Sequence, residues 1–166
     1  MSYWRLFYHL VWTTKQREPW LTPDVEPMIY DLLRSKAVGL GATVFAVNGT
    51  EDHVHMVAAI PPKIAVATFV GQVKGVATAR YNADAEQHVR WQAEYGAFTT
   101  DGKRLPYLVA YVEQQKQHHQ QGTIIPVLER VEDVLSGVVL RETAPAYSTD
   151  ETNWRRETLA LDGQTL

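Results

Sequence analysis

Two pairs of residues in this chain have types and spacings that could support chemistry. His53 and His55 flank one apolar residue in Asp52-His53-Val54-His55-Met56, just after Asn48-Gly49. Alternate residues of a strand share a face, so both imidazoles would point the same way and could hold one metal ion, with Val54 and Met56 facing opposite. Tyr111 and Gln115 are four apart, hence one turn apart on one face of a helix. If that face looks onto the histidines, Gln115 could supply an amide oxygen as a third ligand and Tyr111 would hold its phenol beside the metal. Such a set of neutral nitrogen and oxygen ligands leaves the full 2+ charge for an anionic substrate. It suits Mg²⁺ or Mn²⁺ without excluding Zn²⁺, Co²⁺ or Ni²⁺. A free tyrosine ionises near pH ~10, so as a nucleophile it needs a metal or cations to stabilise the phenolate as it forms. A phosphotyrosine ester keeps a good leaving group, so a free strand hydroxyl could attack it and rebuild a DNA backbone bond without ATP. Taken alone, paired histidines on an apolar strand are more often structural, and a lone tyrosine is usually a core or interface residue.

The elements that must position these residues follow from periodicity. Residues 5–13 read as an inner strand, with large side chains on both faces. Thr22 as N-cap and Pro23 at the first helical position predict a helix that carries Val25, Met28, Ile29, Leu32 and Leu33 inward and stops at Gly39 and Gly41. A strand over 42–48, the Asn48-Gly49 turn and a strand over 53–60 form a hairpin that ends at Pro61-Pro62. A second helix presents Ile64, Val66, Phe69, Val70, Val73, Val76, Ala77 and Tyr81. Its Gly71 and Gly75, one turn apart, predict a smooth strip open to close approach by a sheet or a ligand backbone. A short strand over 96–100 follows, then a third helix from Leu105 to about Gln120, broken by Gly122 and Pro126.

The order strand–helix–strand–strand–helix–strand–helix predicts an α+β, ferredoxin-like (RRM-like) sandwich, an antiparallel sheet covered by helices. It places the first and third strands side by side in the centre, and His9 near His53 and His55 if it shares their face. The main domain is expected over 1–125. The extension 126–166 is read as a short amphipathic helix, about 127–135, followed by a polar tail from about Arg141.

At 166 residues with 45% hydrophobic and 21% charged composition, the chain suits one core plus an appendage. No apolar run approaches the ~18 residues of a membrane span, and the N-terminus lacks a signal-type apolar stretch. With no cysteine there is neither disulfide nor thiolate metal site, and a cytoplasmic location is the expectation. Net charge is −3, but unevenly spread. Residues 1–120 carry 12 Lys and Arg against 11 Asp and Glu, whereas residues 121–166 carry 4 against 8, so the acidity belongs to the C-terminal segment.

Phe7-Tyr8-His9-Leu10-Val11-Trp12-Thr13-Thr14-Lys15, Asp52-His53-Val54-His55-Met56, Trp91-Gln92 with Tyr95-Gly96, and Tyr111-Val112-Glu113-Gln114-Gln115, in that order, resemble the single-tyrosine HUH transposases. These comprise small insertion-sequence transposases and the REP-associated tyrosine transposases; His118-His119 after Tyr111 looks closer to the latter. The resemblance covers about residues 3–125. It implies metal-dependent cleavage and rejoining of single-stranded DNA at hairpin-flanked element ends through a 5′-phosphotyrosine intermediate. Tyr111 would be the nucleophile and His53, His55 and Gln115 the metal ligands, in a homodimer that completes its site within one chain or across two. The weak basicity of the chain departs from that pattern.

Candidate phosphate contacts are Lys15, Arg17, Lys74, Arg80, Lys103 and Arg104, each an ordinary surface charge on its own. Trp91 and Tyr95 could stack unpaired bases, or pack beneath a loop. Glu51 and Asp52 could orient a histidine or ligate, or be solvated turn residues. His118 and His119 read as a polar helix end, and His9 as a hydrogen-bonded strand residue. Two other functions compete with strand joining: a domesticated protein that holds DNA hairpins without cutting, and an unrelated metal-dependent hydrolase on a similar sandwich.

Overall fold

The computed structural model describes residues 2–131, which lie within a compact unit spanning Met1–Glu132. Four strands, β1 (Phe7–Thr13), β2 (Thr43–Gly49), β3 (His53–Ala59) and β4 (Gly96–Thr100), form one antiparallel sheet in the order β2-β3-β1-β4. Helix α1 (Glu26–Gly39) links β1 to β2, and α2 (Val66–Asn82) links β3 to β4. This is the ferredoxin-like α+β sandwich, with β1 and β3 at its centre.

The pleat sorts the side chains. Leu10, Trp12, Val54, Met56 and Ala58 go to one face, where Ile29, Leu33 and Ala37 of α1 and Phe69, Val70, Val73 and Ala77 of α2 bury them. His53 and His55 go to the other. Val11 pairs with His55 across β1 and β3, so His9, two residues along, lies on that face too. This second face is covered by α3 (Leu105–Glu113), whose Tyr111 and Val112 pack with Ala46 and Val57.

Several local expectations change. The third helix is two: α3 ends at Glu113 and α4 runs Gln115–Gln121, with Gln114 leaving helical geometry at φ −101°, ψ 18°. The amides of Gln114 and His118 still bond four residues back, to Ala110 and Gln114, so the axis bends without losing its ladder. Helix α1 starts at Glu26 rather than after Thr22, because a turn intervenes in which the Thr22 carbonyl accepts from the amides of Val25 and Glu26. Gly71 and Gly75 face open space, and among the described residues an added Cβ at either would meet nothing within 4 Å, so the sheet does not pack against that strip. In place of an amphipathic helix after Pro126 there is one 3-10 turn, Pro126–Glu129. The remainder of that expected helix and the polar tail, residues 132–166, lie outside the described residues.

Candidate metal and nucleophile site

The sheet face left uncovered by α1 and α2 holds three histidine rings in a row. His9 Nε2 lies 2.7 Å from His55 Nδ1, both side chains buried, and the His53 and His55 ring centroids are 5.0 Å apart. His53 Nδ1 is 2.6 Å from Asp52 Oδ1 and 2.8 Å from Thr50 Oγ1. Arg17 Nη1 reaches Asp52 Oδ2 at 3.2 Å. It does so from a turn in which Gln16 and Arg17 both sit in the left-handed region, at φ 56° and 55°, an uncommon setting for residues other than glycine. His53 and His55 are therefore each held at Nδ1 and turn Nε2 toward α3 and α4, whereas His9 is engaged through its own Nε2.

What meets those nitrogens is Glu129, from the turn after α4. Its Oε2 is 3.0 Å from His55 Nε2, 3.4 Å from His53 Nε2 and 3.6 Å from His119 Nε2, while Oε1 accepts a short hydrogen bond from the Tyr111 hydroxyl. The amide of Ile125 donates to the same Tyr111 oxygen at 3.0 Å, and His118 stacks on the phenol ring at 4.8 Å. His53, His55 and Glu129 offer one ligand atom each, all within 4.8 Å of one another.

Does this set fit a divalent cation? The chemistry of the donors says that it does: two imidazole nitrogens and a carboxylate oxygen converge, and buried His53 Nε2 has only the long 3.4 Å approach of Glu129 among the described residues. Gln115 is fully buried as well, and neither its oxygen nor its nitrogen has a hydrogen-bond partner among the described residues. Gln114 beside it is exposed, so Gln115 is the glutamine that α4 turns inward. Glu129 adds one negative charge that a wholly neutral ligand set lacks.

The electrostatics follow from burial and the carboxylates. Burial alone would pull His53 down, but the carboxylates of Asp52 and Glu129 outweigh it and push His53 up to about 8. Burial holds His55 below its ordinary value and takes His9 down to about 3. Burial and the Glu129 carboxylate push the Tyr111 phenol up to about 12. Despite burial, hydrogen bonds from His53 and His55 hold Glu129 far below the carboxylate range. Tyr111 is thus a protonated phenol at neutral pH, and Glu129 a carboxylate.

Glu129 had no signal in the sequence. It lies 74 residues beyond His55, in a segment read only as a short amphipathic helix, and reaches the site because the chain folds back over the sheet there. Gly96 makes that crossing feasible: a Cβ on it would stand 1.9 Å from the Arg130 carbonyl and 2.8 Å from Val11 Cγ1.

The candidate DNA contacts scatter. Lys15, Arg80 and Lys103 are exposed. Arg17 lines a cleft of about 630 Å³ beside His53, with Glu26, Asp52, Lys116 and His119. Lys74 is not a surface cation: its ammonium is buried and donates to the carbonyls of Gln92, Ala93 and Glu94 at 2.6, 3.2 and 3.3 Å. Trp91 packs instead of standing free, its ring edge on Trp12 and its Nε1 donating to the Lys74 carbonyl. Arg104 pairs with Asp101 at 3.8 Å.

A sequence profile of the family described as "Transposase IS200 like" matches residues 2–115, well over half of the chain and inclusive of both histidines, Tyr111 and Gln115. The chain belongs to the IS200-like transposase family. This transposase is 28% identical over 119 residues to the ISDra2 transposase TnpA of Deinococcus radiodurans, across 68% of the present chain and 85% of that one. It is 29% identical over 72 residues to the transposase for insertion sequence element IS200 of Salmonella typhimurium, covering 43% of this chain and 47% of that relative. Among solved structures, a transposase candidate from D. radiodurans R1 superposes with a TM-score of 0.56 at 27% identity, over 69% of this chain and 95% of that one. A REP-associated tyrosine transposase bound to a REP hairpin superposes with a TM-score of 0.54. Its 14% identity, over 75% of this chain and 76% of that one, carries the fold alone.

Proposed function

We propose that this transposase cuts and rejoins single-stranded DNA at hairpin-flanked element ends, with Tyr111 as nucleophile and a divalent metal, Mg²⁺ or Mn²⁺, held by His53 and His55. Glu129 and Gln115 would complete the ligand set. The observation that carries this reading is the convergence of the Tyr111 hydroxyl and both histidine Nε2 atoms on the single carboxylate of Glu129.

When bound, the metal would act as a Lewis acid on the scissile phosphate and on the forming phenolate. The rest is the work of the chain. Asp52 and Thr50 hold one imidazole at Nδ1, and His9 holds the other, so that both Nε2 atoms face the phosphate. Helix α3 presents the phenol from the opposite side. Tyr111 Oη bonds to phosphorus as its proton leaves, the P–O3′ bond breaks, and the departing 3′ oxygen takes up a proton. The 5′-phosphate remains on Tyr111. In the joining step an incoming 3′-hydroxyl attacks that ester, and the P–Oη bond breaks to return the phenol. The Ile125 amide and Glu129 Oε1 must give up their hydrogen bonds to the Tyr111 oxygen before attack, while Glu129 Oε2 stays beside the histidines.

The partners implied are a single strand folded into a hairpin and a second copy of this chain. The unit that performs the chemistry runs past residue 125 to take in Glu129. Lys15, Arg17, Arg80, Lys103 and Arg104 remain the proposed contacts to the DNA backbone. No described helix is long and apolar enough to cross a membrane.

The test uses labelled single-stranded hairpins from the DNA flanking the gene, incubated with Mg²⁺ or Mn²⁺. A covalent protein–DNA adduct is expected from the wild type, with none from Tyr111→Phe and none after chelation. Hairpin binding that survives both changes without any wild-type adduct would instead make the protein a binder. Product release without an adduct would make it a hydrolase.

A further inference from the structure

Within the metal-dependent reading above, we propose that His9 is a positioning residue: its hydrogen bond sets the tautomer of His55 and so decides whether His55 can take a divalent cation. His9 Nε2 and His55 Nδ1 are 2.7 Å apart, and the two rings are within 3° of parallel. His9 is 1% exposed and His55 fully buried, with Phe98 packed 5.7 Å from the His9 ring. One hydrogen lies between the two nitrogens, and it can belong to either.

The two placements have opposite consequences. If His9 Nε2–H donates to His55 Nδ1, neutral His55 carries its own hydrogen on Nε2. That hydrogen points at Glu129 Oε2, 3.0 Å away, and no lone pair is left for a cation. If His55 Nδ1–H donates to His9 Nε2, the Nε2 lone pair is bare. His9 then carries its hydrogen on Nδ1, an atom buried without a hydrogen-bond partner among the described residues. Loading a cation at His55 therefore requires both rings to change tautomer together, which leaves a buried His9 N–H unsatisfied.

His53 differs. Its Nδ1 faces the Asp52 carboxylate, which only accepts, so the Nδ1–H is fixed and neutral His53 always presents its lone pair on Nε2. One ligand is set permanently by a carboxylate; the other is switchable, backed by a second histidine.

The test reads the side-chain nitrogens of the full chain by ¹⁵N NMR, metal-free and saturated with Mg²⁺. His9 is expected to pass from the Nε2–H to the Nδ1–H form as His55 passes from Nε2–H to Nδ1–H. A His9 tautomer unchanged while His55 responds to the ion would overturn the inference. Mn²⁺ affinity, read by the free-ion EPR signal, should fall about 10- to 100-fold in His9→Phe, which fills the space but cannot accept. His9→Gln, whose amide oxygen can accept from His55 Nδ1–H, should recover most of the loss. Affinity within twofold of wild type in a folded His9→Phe protein would also overturn the inference. Failure of the wild type to bind either ion would remove the metal reading itself, and this inference with it.

Discussion

The ionisable residues at the site are coupled through Asp52 and Glu129, and His53 gives that coupling a measurable pH signature. Its folded value of about 8 lies above the ~6.5 of an unfolded histidine, so the protonated ring stabilises the metal-free fold. That stabilisation is fully present below about pH 6.5 and is lost as pH rises through about 8. At ~1.4 kcal/mol per pH unit of separation, the loss should be about 2 kcal/mol. Urea unfolding in the presence of a chelator, at pH 6 and pH 9, measures it. Asp52→Asn removes a carboxylate that raises His53 and should flatten most of the slope; an equal slope in that variant would mean another group is responsible. The Asp52 carboxyl is itself held well below the usual range, chiefly by its hydrogen bond with His53, so the stability it contributes is full above about pH 4 and is lost only as pH falls from there through its depressed folded value. The Tyr111 phenol, pushed up to about 12, is a reserve nucleophile that needs charge stabilisation to react at neutral pH.

Two element-scale arrangements position the site: the segment after α4 crosses β4, and the loop after α2 is tied down. Gly96 leaves room for the Arg130 carbonyl, so Gly96→Val should push that segment away and withdraw Glu129 from the histidines. The phenol would then lose its carboxylate neighbour. The expected readout is a Tyr111 that ionises at lower pH in an ultraviolet difference titration, with the fold retained by circular dichroism. No change in the tyrosine spectrum would mean that the segment finds another path. The loop carrying Trp91 is held by Lys74, whose buried ammonium serves three carbonyls. Lys74→Met keeps the stem but removes the donor. Leaving buried acceptors unpaired costs about 1–3 kcal/mol, read as a lower denaturation midpoint at unchanged m-value. If DNA affinity fell while stability held, Lys74 would be a DNA contact after all.

For the whole molecule, cation binding and folding should be linked, because the candidate ligands come from β3, α4 and the segment beyond it, which meet only in the folded chain. A cation at ~100 times its Kd should raise stability by about 2.7 kcal/mol, and a chelator should reverse the rise. An identical melting temperature with Mn²⁺ and with chelator would count against a site assembled by folding. The same separation explains what could be read from the sequence. Periodicity two along β1 and β3 and periodicity 3.6 along α1, α2 and α3 are local, so they determined the elements, the sandwich and the shared face of His53 and His55. The ordered motifs carried the family. The four-residue spacing of Tyr111 and Gln115 was local too, and the folded chain buries both. The burial of Lys74 was decided by the loop that closes over it. Above all, Glu129 entered the site from 74 residues beyond His55 through a backbone crossing that only Gly96 permits. Contacts of that kind leave no spacing in the sequence, because they depend on where two distant pieces of chain are packed and not on the repeat of either one.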